Sequence, residues 1–213
     1  MQKTFTASTA TTILTILYAV GIIGFLWKIY PNFPQLTPFN LLISLGIALV
    51  FHQNWNGRFA FWCFATAFVG YLIEVAGVAT GAIFGNYIYG NTLGIKVLEV
   101  PLSISINWLL SAYGSAALVS VAASKSWHWF FKSVAAAALM VSLDVLIEPI
   151  AVKTGMWTWA NGVVPMQNFG GWFVVALALQ MLFFTLVGAA KNKVAVALLI
   201  LQFAFFTILN WFM

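Results

Sequence analysis

The feature that most constrains this chain is a succession of long apolar runs separated only by short polar breaks. A membrane-spanning helix needs about 20 mostly apolar residues, because the backbone must bond to itself where water is absent. The runs of this kind are Ala10–Trp27, Phe39–Phe51, Phe59–Thr80, Pro101–Ala122, Trp129–Ile150, Gly171–Ala189 and Val194–Phe212. The second is short, and the sequence predicts an extension to Asn54 or a smaller tilt than its neighbours. Charged residues make up 6% of the 213 residues and hydrophobic ones 63%, whereas a water-facing surface takes roughly 25% charged residues. The expected fold class is all-α, a polytopic integral membrane helix bundle with about seven transmembrane helices, and residues 1–213 form a single transmembrane domain.

The first run is too long for a secretory signal and is closed by Ile29, Tyr30 and Pro31, so it is read as the first span. The formal charge of +5 does not point to nucleic acid, since the basic residues stand singly at the ends of runs. They act instead as topology signals. Lys3, Arg58, Lys125, Lys132, Lys191 and Lys193 fall on one side, and Lys28, Lys96 and Lys153 on the other. That bias predicts a cytoplasmic N-terminus and an outside C-terminus in the cell (plasma or inner) membrane. The single Cys63 excludes an internal disulfide and any multi-cysteine metal site.

Only four acids are present, Glu74, Glu99, Asp144 and Glu148, all in or beside the third to fifth spans. Ionisable groups inside spans are costly and mark function by default. Asp144 and Glu148, four residues apart, share a helix face, and two such close carboxyls cannot both ionise cheaply in a low dielectric. The fourth span is read with a polar stripe of Glu99, Ser103, Asn107, Ser111 and Ser115; the last two are expected only to bond neighbouring helices, and Asn107 to face a cavity. Gly77-x-x-x-Gly81 predicts close helix approach, with Glu74 turned into the bundle. His52 and His128 are expected at the membrane interface, far from the acids. Two loops share a pattern: Tyr87-Ile-Tyr89 with Pro101 and Trp108, and Trp157-Thr-Trp159 with Pro165 and Trp172. This predicts a parallel repeat of spans 3–4 on spans 5–6.

Several chemistries lack their residues. No G-x-G-x-x-G follows a strand, two histidines cannot build a multi-histidine di-iron site, and no aspartate run holds Mg²⁺-diphosphate. The seventh span has no lysine for a retinal Schiff base. The expected cofactor set is none, and no metal is expected. Acids, amides and aromatics in an oily cavity suit protonation of an alkene: a neutral carboxylic acid donates the proton, aromatic faces stabilise the cation, and a held water captures it.

Glu74-x-x-Gly77-Val-x-Thr80-Gly81-x-x-Phe84-Gly85-x-Tyr87-x-Tyr89-Gly90, Leu93-Gly94-x-Lys96, Val100-Pro101 and Asn107-Trp108 resemble the membrane carotenoid biosynthesis family. So do Asp144-x-x-x-Glu148-Pro149, Trp157-x-Trp159, Pro165 and Asn168-Phe169-x-Gly171-Trp172-Phe173. The likeness spans roughly residues 70–184. The family includes carotenoid 1′,2′-hydratases acting on γ-carotene, lycopene or bisanhydrobacterioruberin, so the resemblance implies addition of water to the terminal double bond of an acyclic ψ-end group. Loops with few charges favour a γ-carotene or lycopene type of substrate. The implied partners are that carotenoid, water, the lipid bilayer and other carotenoid pathway enzymes. Chemistry then assigns Asp144 as proton donor, Glu148 as the group that tunes it, and Glu74 and Asn107 as holders of water. Tyr87, Tyr89, Trp108, Trp157, Trp159, Asn168 and Trp172 are expected to bind the substrate. The alternatives are a cofactor-free lycopene cyclase-type enzyme and a non-catalytic carotenoid- or lipid-binding membrane protein.

Overall fold

The computed structural model describes residues 5–27 and 29–213. Lys3 and Lys28, both used in the charge count, lie outside the described residues. Seven helices are long and apolar enough to cross a membrane: α1 Ala7–Trp27, α2 Thr37–Val50, α3 Gly57–Thr80, α4 Ser103–Ala122, α5 Trp129–Lys153, α6 Met166–Leu186 and α7 Lys193–Phe212. The second span is lengthened by a 3-10 turn over Phe33–Leu36 and not by an extension to Asn54. The sixth starts at Met166, five residues before the expected Gly171, because Pro165 in an extended conformation sets the cap. It closes at Leu186, ahead of Gly188 at φ 83°.

Local chemistry sets the other ends. Asn56 Oδ1 accepts from Phe59 N at the start of α3, and Asn192 Oδ1 accepts from Val194 N and Ala195 N at the start of α7. These side chains satisfy donors that a helix start leaves orphaned. Gly81 at φ 65° closes α3 in the left-handed conformation. A Cβ at Gly77 would meet Phe84 and Tyr87. The Gly77/Gly81 pair therefore admits a returning loop and a helix cap, where the sequence predicted helix–helix approach.

α4 is the central helix, with 67% of its span buried inside the protein. Its Ser111, Ala112, Gly114, Ser115, Ala116 and Ala117 are all buried, and such small side chains let neighbouring helices approach closely. It packs on α3, α5 and α7, and also touches α2 and α6. Ser111 Oγ donates to the Asn107 and Trp108 carbonyls of its own helix, not to a neighbour.

Two small antiparallel ribbons cap one end of the bundle. β1 (Tyr87–Tyr89) pairs with β4 (Trp157–Trp159) in the register Tyr87 with Trp159 and Tyr89 with Trp157. β2 (Lys96–Val97) and β3 (Val100–Pro101) form a tight hairpin around Leu98 and Glu99. Both turn residues have positive φ, 49° and 63°, as a two-residue hairpin turn requires. Glu99 is thus exposed at a hairpin tip and Pro101 is in a strand. The polar stripe of α4 begins at Ser103, and Glu99 does not sit on the helix as the sequence predicted.

His52 follows the end of α2, away from the acids. It is buried at the opposite end, with its ring stacked on Phe59 at 3.5 Å between centroids. Its Nδ1 lies 2.8 Å from Tyr113 Oη, which also accepts from Asn192 Nδ2 at 2.8 Å. Burial holds this imidazole below its usual pKa.

Candidate active site

Glu74 on α3 and Asp144 and Glu148 on α5 all line one small chamber beneath the β1–β4 ribbon, with Asn107, Tyr87, Tyr89, Trp157, Trp159, Asn168 and Trp172. The three acids are each 3% exposed. No described lysine, arginine or histidine lines the chamber, so its polarity is answered by neutral donors.

The strand alternation explains the donor pattern. Residues two apart on a strand point the same way, so Tyr87 and Tyr89 both reach Glu74 Oε2, at 2.5 and 2.8 Å. Trp157 and Trp159 likewise both donate to Glu148 Oε2, at 2.9 Å each. The second oxygen of each glutamate is met from the helix that follows: Glu74 Oε1 accepts from Trp108 Nε1 at 3.1 Å, and Glu148 Oε1 from Asn168 Nδ2 at 3.1 Å. Asn168 Nδ2 also donates to Asp144 Oδ2 at 3.0 Å. Its single amide therefore bridges the two acids of α5. Asp144 Oδ1 accepts no hydrogen bond from a described residue.

All eleven residues singled out in the sequence are thus in or against one site, but several have different work from that expected. Tyr87, Tyr89, Trp108, Trp157 and Trp159 spend their polar atoms on the glutamates, and only their faces are left for a ligand. Burial, followed by the neighbouring Glu74, raises the Tyr87 and Tyr89 phenols above the usual tyrosine range. These hydroxyls are fixed donors. Trp108 and Trp172 stack face to face, 3.8 Å between centroids and 7° apart, where α4 and α6 meet. A Cβ at Gly70 would collide with Trp108, so this glycine makes room for the indole.

Asn107 stands at a junction. With Ile104 and Trp157 it lines both the acid chamber, of about 20 Å³, and a larger apolar cleft of about 280 Å³. The chamber exceeds the roughly 10–15 Å³ needed to hold one water. The cleft runs between α1, α2, α4, α5 and α7. Sequence reasoning placed no site residue on α1, α2 or α7. The available signal was three polar side chains inside spans, Tyr18, Asn40 and Gln202, all on the cleft wall.

A cation would find little vacancy among these carboxylates, because the glutamate oxygens already accept from N–H and O–H donors. Among the described residues no group of three His, Cys, Asp or Glu side chains is arranged to hold a metal ion.

The sequence matches the family described as carotenoid biosynthesis protein over residues 37–213. The chain belongs to that family. The match takes in α2 to α7 and the whole acid chamber, and α1 lies outside it. Over 126 residues the chain is 27% identical to a protein of Haloarcula japonica named bisanhydrobacterioruberin hydratase. That alignment covers 56% of this chain and 42% of the relative, so the chain spans less than half of the relative's length. No solved structure matches.

Proposed function

We propose that this family member is a carotenoid 1′,2′-hydratase, a cofactor-independent hydro-lyase that adds water to the terminal double bond of an acyclic ψ-end group. The observation that carries the reading is Asp144. Its Oδ2 is held by Asn168, while its Oδ1 has no donor from the described residues in a chamber walled by indoles and phenols. That oxygen is the natural seat of an acidic proton, since the oxygens of Glu74 and Glu148 are already occupied as acceptors.

In the proposed reaction the Asp144 Oδ1–H bond breaks and its proton goes to the less substituted carbon of the terminal C=C. The π pair forms the new C–H bond, leaving a tertiary cation next to the faces of Trp157, Trp159 and Trp172. Aromatic faces attract such a charge. A water held by Asn107 and the remaining lone pair of Glu74 Oε1 attacks the cation through oxygen. The proton it releases goes to Glu74 and returns through the chamber to Asp144. The sum is alkene plus water giving a tertiary alcohol. Glu148 tunes Asp144 through the shared Asn168 amide. Closeness of an acid and a water in a dry site is the kind of arrangement that supplies general acid catalysis.

The substrate proposed is of γ-carotene or lycopene type, taken from the plasma or inner membrane by the single transmembrane domain of residues 1–213, with other carotenoid pathway enzymes as neighbours. The test is expression in cells that accumulate lycopene or γ-carotene, followed by mass analysis of the pigment. A product heavier by one water supports the hydratase. An isomer of equal mass identifies a cyclase-type enzyme, and unchanged pigment bound to the protein identifies a carrier; either outcome overturns the proposal.

A further inference from the structure

The helices that carry none of the proposed chemistry enclose the larger cavity. α1 packs along α7 and touches α2 only lightly, so between α1 and α2 the bundle wall is incomplete. Val20 on α1 and Ile43 on α2 both line the cleft, yet they are 51% and 47% exposed on the outer face of the bundle. Residues that belong to a cavity and to the lipid-facing surface at once mark its mouth. At Val20 and Ile43 the cleft opens sideways, at the depth of the apolar spans.

Inside, the wall is apolar. Gly21 leaves room for Phe205, whose ring a Cβ would approach to 2.9 Å, and Phe25, Phe205 and Ile147 continue inwards. At its inner side the cleft shares the wall residues Ile104, Asn107 and Trp157 with the acid chamber. At about 280 Å³ it lies just under the usual range for sites that enclose a whole drug-sized ligand. It fits one end of a long hydrocarbon chain, the rest remaining in the bilayer.

Resting on the hydratase reading, we propose that this cleft is the substrate's lateral portal: a linear isoprenoid polyene enters from the lipid between α1 and α2, and its end segment lies along α7 with the terminal group against Asn107. The occupant follows from the wall shared with the acid chamber, since a substrate whose end is presented at Asn107 has this apolar cleft beside it for its body.

The test uses the full chain purified from lycopene-accumulating cells. The readouts are pigment retained per protein and the ratio of lycopene conversion to conversion of a single-isoprene analogue with the same isopropylidene end. Val20→Trp and Ile43→Trp, side chains half exposed to lipid, are each expected to lower pigment retention and that ratio at least about tenfold, equivalent to 1.4 kcal/mol of binding. Phe64→Trp, 66% exposed on α3 and away from the cleft, is the size-matched control and keeps wild-type retention. Retention within twofold of wild type in both mouth variants overturns the portal. Wild-type protein that retains pigment, loses it in the mouth variants and yet hydrates nothing sinks the hydratase reading alone, because retention is measured without chemistry.

Discussion

The two glutamates accept three hydrogen bonds each, but from donors of different kinds, and that difference predicts unequal tolerance of the same substitution. Glu74→Gln places a fixed amide among two phenols and one indole. An indole N–H only donates, whereas a phenol both donates and accepts. The new glutamine turns its oxygen to Trp108 and its NH₂ to Tyr87 and Tyr89, whose hydroxyls rotate to accept. Glu148→Gln meets two indoles and the Asn168 amide, all donating. Its oxygen serves Trp157 and Trp159, so its NH₂ faces the Asn168 NH₂, and turning Asn168 round would then point an oxygen at Asp144 Oδ2. One orientation leaves a buried donor unpaired, and the other sets two acceptor oxygens against each other. That costs about 1–3 kcal/mol. Both substitutions exchange one carboxyl oxygen for an amide nitrogen, so this conflict is what separates them. At roughly 2–4 °C per kcal/mol for a chain of this size, Glu148→Gln melts about 2–12 °C below Glu74→Gln. Thermal unfolding of the two purified variants in the same detergent reads the difference directly. Equal melting temperatures, or a lower one for Glu74→Gln, would refute the donor assignment.

The remaining predictions address the acid, the cofactor set, the phenols and the orientation. Asp144→Asn keeps a carbonyl oxygen for Asn168 but loses the proton, so product yield normalised to protein falls at least about 10²-fold with the melting temperature near wild type; wild-type yield from well-folded protein sinks the donor. Conversion by purified protein persists in excess chelator with nothing added, and loss of activity restored by one metal ion would overturn the acid mechanism. Because Tyr87 and Tyr89 are raised above the ordinary tyrosine value, the folded state holds their protons longer than the unfolded chain does. Stability is therefore full below about pH 10 and falls as pH rises above it. A Tyr87→Phe/Tyr89→Phe variant shows a shallower alkaline loss when melting is followed against pH, and an unchanged slope contradicts the buried-phenol assignment. A C-terminal reporter is active only outside the cytoplasm if the positive-inside reading holds, and cytoplasmic activity contradicts it.

Much of the architecture was legible because a bilayer leaves few choices. Long apolar runs had to be helices, and four acids among 213 residues had to be noticed. What could not be read was pairing across distance. Tyr87 and Trp159 are opposite one another in a ribbon, but a three-residue strand has no periodicity long enough to declare itself. Asn168 was grouped with substrate-binding residues because it lies in sequence among aromatics; its contact with Asp144 and Glu148 arises only when α6 packs on α5. The cleft was invisible for a different reason. Val20 and Ile43 would be equally apolar whether they faced lipid or substrate, so composition along α1 and α2 carries no mark of a cavity. Glu99 was misplaced because Leu98 and Glu99 carry no glycine to announce a turn with positive φ.

The shared loop pattern gives the site its internal logic. Glu74 with Tyr87 and Tyr89 is repeated by Glu148 with Trp157 and Trp159, and the two strands pair with each other. Trp108, seven residues after Pro101, stacks on Trp172, seven residues after Pro165. The halves formed by α3–α4 and α5–α6 therefore meet at both ends of the chamber through equivalent residues. Two of their differences bear directly on the acids. One turn before its glutamate, the first half has Gly70 where the second has Asp144; three residues after its proline, the first has Ile104 where the second has Asn168. In the first half Trp108 fills the space beside Gly70 and bonds Glu74; in the second the Asp144–Asn168 pair takes that place and bonds Glu148. A symmetric site would hold two equivalent acids and no preferred direction for a proton. Replacing one acid–amide pair by glycine and isoleucine leaves a carboxyl oxygen without a donor on one side and a glutamate that accepts from three donors on the other. The same change turns Ile104 towards the apolar cleft. The two halves are thus chemically unequal: the second carries the carboxyl oxygen without a donor, and the first carries Ile104, which borders the apolar cleft.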